Sequence, residues 1–104
     1  MKIDFNKSNN FPRPYIILAP SYTQKSGGII VQHKLCNLLN KLGAKAYLYH
    51  HKIDNKNYYS TNSEYLSPIA NKSVMDDNPI VIYAEIVIGN PLNAKNVVRW
   101  LLNR

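Results

Sequence analysis

A single cysteine, Cys36, stands among the 104 residues, so no disulfide can form within the chain and a reducing compartment suits it. No apolar run approaches the roughly 20 residues that a membrane-spanning helix needs. The opening MKIDFNKSNN has none of the apolar stretch that directs secretion. A cytoplasmic location is therefore expected, with at most a peripheral hold on the inner face of the membrane. Acidic residues are scarce: six against thirteen Lys and Arg, a formal net charge of +7. That balance attracts polyanions at low salt. Yet the lysines are scattered from Lys2 to Lys95, with no dense block and no nucleic-acid-binding motif, so specific nucleic-acid recognition is not expected. The G-x-G-x-x-G of a dinucleotide site and the G-x-x-x-x-G-K-[ST] of a P-loop are also missing. His33, His50 and His51 have no metal-ligand spacing with Cys36 or one another, so neither a metal nor a cofactor is expected.

What is present is the material of one folded domain. The hydrophobic fraction is 45% and the charged fraction 18%, unlike the composition of a disordered chain. Residues 1–14 form a polar arm closed by Pro12 and Pro14, and residues 15–104 form the domain. YIILAP, Tyr15 to Pro20, is a short apolar run of the kind buried on both faces of a parallel sheet. From Gly28 to Leu42 the period is helical, with Val31, Leu35, Leu38, Leu39 and Leu42 as the apolar side. His33, Lys34, Asn37, Asn40 and Lys41 lie opposite, and Gly43 follows as a C-cap glycine. Ile29 and Cys36 fall away from the main stripe, as if awaiting a neighbour.

AKAYLYH, Ala44 to His50, reads as a second strand. His51 to Asn78 is polar and long for a loop, with room for a short helix or an irregular excursion around SEYLSPIA. DDNP is a turn, and IVIYAEIVI, from Ile80, begins a third strand. After GNP, the spacing of Ala94, Val97, Val98, Leu101 and Leu102 predicts a helix over Leu92–Leu102, with Lys95 and Arg99 on its basic side. Trp100 is expected to plug that helix onto its neighbours. The alternation defines an α/β fold: a small three-layer Rossmann-like domain with a mainly parallel sheet of about three strands.

Ligands of open α/β sheets bind beyond the carboxyl ends of the strands. Two loops sit there, Pro20 to Gly28 and Ala84 to Pro91. Gly27 and Gly28 open a helix whose free N–H groups would suit a phosphate or a sugar hydroxyl. The pair could equally serve a tight strand-to-helix turn. Glu85 could accept hydrogen bonds from a sugar or act as a base, or else cap a helix or pair with a lysine. Ser26, Gly27, Gly28, Glu85, Gly89 and Asn90 are the candidate substrate-binding residues, and no catalytic residue stands out. Cys36 reads as a small packing residue within a helix. Tyr47, Tyr49, Tyr58, Tyr59 and Tyr65 could stack on sugars or bases, although strand packing and loop anchoring are commoner uses.

The stretch YIILAPSYTQKSGGIIVQHKLCNLLNKLGAKAYLY resembles the start of bacterial glycosyltransferases of the two-Rossmann-domain (GT-B) class. The matching positions are Gly27, Gly28, Ile29, His33 and Leu35. IVIYAEIVIGNPLNAKNVVRWLLNR is similar to a later segment of one such group, through Tyr83, Glu85 to Val87, Gly89 to Leu92 and Val97 to Asn103. The resemblance implies the acceptor-side, N-terminal part of an enzyme that moves a sugar from a nucleotide-sugar donor to a glycan acceptor in surface polysaccharide synthesis. It implies Gly27 and Gly28 beside the acceptor or the donor phosphates, Glu85 and Asn90 on the neighbouring edge, and no metal. It also implies an incomplete half of a GT-B fold. Most of the donor site would lie in a missing C-terminal domain or partner chain, so these 104 residues alone are expected to be inactive. The competing expectation is a non-catalytic α/β module that pairs with a separate chain or forms an oligomer.

Overall fold

The first strand, β1 (Tyr15–Ala19), buries Ile16, Ile17, Leu18 and Ala19 in succession, so both of its faces are covered. Only a central strand of a sheet with layers on both sides has that pattern. The computed structural model describes residues 11–50 and 59–101. The N-terminal arm as far as Asn10, the start of the excursion from His51 to Tyr58, and the end from Leu102 lie outside the described residues. Within them, β1 is followed by α1 (Gly27–Lys41), β2 (Ala46–His50), the short α2 (Lys72–Met75), β3 (Ile80–Ala84) and β4 (Asn96–Trp100). The four strands are all parallel, in the order β2-β1-β3-β4.

This is the α/β, Rossmann-like domain that the alternation predicts, with one strand more than the three expected. The fourth strand stands where a helix was predicted over Leu92–Leu102. Asn96–Trp100 instead lies beside β3, with Val81 opposite Val97 and Ala84 opposite Trp100. The spacing of Ala94, Val97, Val98 and Leu101 fits a helix, but Val97, Val98 and Trp100 are strand formers. Without β4, the backbone groups on the outer side of β3 would be unpaired, and pairing settles the choice. Arg99 therefore lies within a strand and Lys95 just before it, not on a helical face.

The direction of the crossovers reverses at β1. From β1 the chain moves outward to β2 through α1; from β2 it returns past β1 to β3, then continues to β4. Connections of one hand that run in opposite directions must cross opposite faces. The packing agrees. α1 covers the face of Ile17, Ala19, Ala46, Leu48 and Ile82. Val74 and Met75 of α2, with Val87, Leu92 and Ala94 of the β3–β4 connection, cover the face of Ile16, Leu18, Val81 and Tyr83. The second layer is thin, but three layers are present.

α1 sits on the sheet differently from its apolar stripe. Ser26 caps it, its Oγ accepting from the Ile29 N–H at 3.3 Å, and Gly43 follows with φ +98° as a C-cap glycine should. The buried side chains are Gln32, His33 and Cys36, whereas Val31 and Leu38 are 41% and 53% exposed. The face on the sheet thus runs through His33, Cys36, Leu39 and Asn40, and Cys36 is a core residue, not one awaiting a neighbour. Asn40 was expected among the solvent-facing residues. Its amide instead donates to the Ala46 and Leu66 carbonyls at 2.9 and 2.8 Å, and its Oδ1 accepts from the Ala46 N–H at 2.8 Å. A polar side chain with every group used can sit against the sheet at little cost, and that rotates the helix.

SEYLSPIA forms no helix but the lining of the β2 edge. The Leu48 N–H donates to the Pro68 carbonyl and the Ala70 N–H to the Leu48 carbonyl, both at 2.8 Å. Asn37 Oδ1 accepts from the Leu66 N–H at 2.8 Å, tying the same stretch to α1. The helix of the excursion comes later, at α2.

Candidate functional site

Because α1 leads from β1 to one neighbour and the next crossover leads to the other, the strand order has its switch point between β1 and β3. There the connections part to opposite faces, and it is outside the carboxyl ends at such a point that open α/β sheets bind ligands. The loop after β1 and the turn after β3 both leave from that end.

Gly27 and Gly28 begin α1 at this edge. Among the described glycines, positive φ belongs to Gly43 and Gly89, so neither Gly27 nor Gly28 is needed for a left-handed turn. A Cβ added at Gly27 would meet nothing within 4 Å, so no neighbouring side chain or backbone requires the glycine either. The turn explanation thereby loses its physical basis at Gly27. What remains is an open first turn. The Ile29 N–H is taken by Ser26 Oγ and the Ile30 N–H by the Ser26 carbonyl at 3.0 Å. The N–H groups of Gly27 and Gly28 have no helical acceptor, and no acidic residue occupies the first turn to neutralise the helix dipole.

Behind this turn, His33 is fully buried. Its Nε2 lies 2.9 Å from the Pro20 carbonyl, which as an acceptor requires the proton on Nε2. Nδ1 then carries a lone pair, buried and without a hydrogen-bond partner. Desolvation holds the His33 pKa below its ordinary value, and the Pro20 hydrogen bond offsets only part of that effect. The imidazole is thus neutral near pH 7. Aromatic rings surround it: Tyr22 meets it edge-on at 5.3 Å and Tyr59 stacks at 6.1 Å. The row continues through Tyr65 beyond Tyr22 and His50 beyond Tyr59. Tyr59 donates through its hydroxyl to the Ala19 carbonyl at 2.8 Å, and Ser21 Oγ accepts from the Ser60 N–H at 2.8 Å. The rings and these bonds fix the course of the loop that delivers Gly27.

The candidate residues after β3 divide. Glu85 is exposed at the turn immediately beyond the carboxyl end of β3, with no partner among the described residues. Gly89 and Asn90 go with the connection onto the face opposite α1, because Val87, Leu92 and Ala94 pack there. Gly89 has φ +74°, where a side chain would strain the backbone. Asn90 Oδ1 accepts from the Tyr83 hydroxyl at 2.5 Å and from the Ala94 N–H at 3.0 Å, while its Nδ2 donates to the Ala94 carbonyl at 2.8 Å. Arg99, on β4, donates to the Val87 carbonyl at 2.5 Å and to the Gly89 carbonyl, and its guanidinium lies 4.9 Å from the Tyr83 ring centre. Gly89 and Asn90 thus build a hydrogen-bonded loop, while Ser26, Gly27, Gly28 and Glu85 lie in the segments that leave the carboxyl ends of β1 and β3.

Other candidates resolve into packing. Burial pushes the Cys36 thiol up to about 12, far from a reactive thiolate. Tyr47 and Tyr49 pack against the core on the α2 face, and Tyr58 lies outside the described residues. Among the described residues no three His, Cys, Asp or Glu side chains come together as a metal site would need. His33 is the site residue that helical periodicity misplaced. A stripe through Ile29, His33, Cys36 and Asn40, spaced four, three and four, would have found it had polar types been admitted to the buried face.

The fold and this edge define a Rossmann-like α/β domain with an open strand-to-helix loop at its switch point. No protein-family model matches the sequence, and no curated protein or solved structure matches it.

Proposed function

We propose that this chain is the acceptor-side portion of a GT-B glycosyltransferase, contributing one wall of the cleft in which a sugar passes from a nucleotide-sugar donor to a surface glycan. The observation that carries this reading is the switch point between β1 and β3, at whose carboxyl ends lie the unobstructed first turn of α1 and the exposed Glu85. The free N–H groups of Gly27 and Gly28 suit a phosphate or a sugar hydroxyl, and Lys25 beside them adds positive charge. The resemblance of the two sequence stretches to that class supports the same reading. Transfer itself would require the donor-binding half, so the chain alone binds without turning over. A cytoplasmic position beside the inner face of the membrane fits this role. Among the described residues, no helix is long and apolar enough to cross a membrane.

The test is a titration of the ¹⁵N-labelled chain with UDP-glucose, GDP-mannose and UDP-N-acetylglucosamine in turn, then with a soluble oligosaccharide. Amide shifts centred on Gly27, Gly28 and Glu85 support the reading. Shifts confined to the opposite edge of the sheet, or none with any probe, overturn it. The second reading, a non-catalytic module that pairs with another chain, is favoured by the apolar surface left open beside β4.

A further inference from the structure

α1 carries more apolar surface than the sheet uses. Its seating on His33, Cys36 and Asn40 turns Val31 and Leu38 outward, where they are 41% and 53% exposed. Lys34 and Lys41, both exposed, alternate with them. Val31, Lys34, Leu38 and Lys41 are spaced three, four and three, which is one line along a helix. Lys45, also exposed, follows just past the helix end. The sequence has no acidic residue from Phe5 to Ile53. Glu64 is the one carboxylate in the stretch that Leu66 ties to Asn37. An open hollow of about 410 Å³ lies along the same line, with Leu35, Tyr65 and Trp100 in its walls.

We propose that this face of α1 lies on an anionic lipid bilayer, with Val31, Leu38 and Trp100 at the depth of the headgroups and Lys34, Lys41 and Lys45 on the lipid phosphates. Charge decides the class of partner. A second copy brings another net +7, which opposes pairing. The residues of this chain outside the described ones bring Lys2, Lys7, Lys52, Lys56 and Arg104 against Asp4 and Asp54, so they offer the lysines little to pair with. An acidic protein would have to set carboxylates at the same spacing and find a socket for its anchors, and the hollow here is open. A bilayer has neither requirement. Its headgroups are mobile and its apolar zone lies directly behind them, so interleaved cations and apolar side chains are met together. Lysine stems keep their methylenes on the apolar side while the ammonium groups reach the phosphates. Tyr and Trp are the side chains enriched at that depth.

Each lysine near such a surface strengthens binding about fivefold, so three give roughly a hundredfold. The apolar part is small, because Val31 and Leu38 are already half covered by their own chain. Attachment is therefore reversible and weakens as salt rises. This surface gives substance to the membrane-side position offered above, but it rests on the outer face of α1 and not on the switch point. Either reading can fail without the other.

The test is co-sedimentation of the full chain with vesicles of phosphatidylcholine alone and of phosphatidylcholine mixed with phosphatidylglycerol, read together with the emission of Trp100, the single tryptophan. The expected result at physiological salt is binding to the anionic vesicles only. Trp100 emission then shifts to the blue and is quenched by brominated phosphatidylcholine in the same vesicles. Lys34→Ser combined with Lys41→Ser lowers the partition by roughly twentyfold. Lys72→Ser combined with Lys95→Ser removes the same charge from the opposite side, where α2 lies, and lowers it by less than about threefold. All four lysines are exposed, so both pairs keep the far-UV circular dichroism of the wild type. A chain that stays in the supernatant with anionic vesicles overturns the proposal and leaves the stripe to an acidic protein. Equal losses in the two lysine pairs overturn it as well, because they mark adsorption by net charge alone. So does pelleting that leaves Trp100 emission unchanged.

Discussion

The Tyr83 hydroxyl donates to Asn90 Oδ1 at 2.5 Å and in turn accepts the Leu92 N–H at 2.9 Å, so one buried phenol holds both halves of the connection that follows its own strand. Arg99 closes the same unit from β4 through two carbonyls. Val87, Gly89 and Asn90 are thereby fixed by groups on two strands.

Tyr83→Phe keeps the packing but removes the bond to Asn90 Oδ1, which keeps the Ala94 N–H, and the acceptor of the Leu92 N–H. The expected cost is about 0.5–1.5 kcal/mol, the net worth of an ordinary hydrogen bond. Arg99→Met removes two charge-assisted bonds and should cost a similar amount. Urea unfolding monitored by circular dichroism reads both, and a change below about 0.5 kcal/mol in either would show that the connection is held by other means.

His33 makes stability depend on pH in a stated direction. Its folded pKa lies below the ordinary 6.5, so the unfolded chain takes up the proton first as pH falls. The contribution of the neutral buried ring is complete above pH 6.5 and is lost as pH drops from there through the folded value. Thermal melts should show a steeper loss between about pH 7 and about pH 5 in the wild type than in His33→Gln. Equal slopes would mean that the ring admits a proton in the folded state.

Gly27→Ala separates folding from binding. The added methyl has open space and relieves the glycine entropy, so stability should rise by roughly 0.4–1 kcal/mol. Any ligand seated on the first turn of α1 should bind more weakly, because the methyl occupies the approach. A stabilised variant with unchanged titration behaviour would remove Gly27 from the site.

Cys36 should resist alkylation by iodoacetamide at pH 8 in the native chain and react quickly in denaturant, since its pKa is pushed up to about 12 and its side chain is fully buried. Mass spectrometry over hours reads the difference. Rapid native labelling would reveal an opening of α1 from the sheet.

The runs at Tyr15 and Ile80 announce their strands because continuous apolar residues that follow Pro have few other uses, and the Tyr-rich stretch after Gly43 reads as a strand by its place in the alternation. The C-terminal limit of α1 is legible from Gly43, which acts locally, and the helical period from Gly28 comes within one residue of its start. The face of α1 is not, because His33 and Asn40 are buried on the strength of carbonyls at Pro20, Ala46 and Leu66, distant in the chain. For β4 the spacing fits two periods, and only the backbone of β3 chooses between them. Of the candidate site, the switch-point loops could be placed from strand order. That Asn90 folds onto the face opposite α1 depends on Tyr83, seven residues earlier, and could not be read from the GNP motif itself.

The closure of the β2 edge by Pro68–Ala70 has a consequence for growth. A sheet with two free edges is a bifunctional monomer and can propagate into a fibre. This sheet, among its described residues, offers only one, so a second copy added there would leave no free edge behind. The segment that seals Leu48 therefore limits edge-to-edge addition of copies of this sheet to a single event.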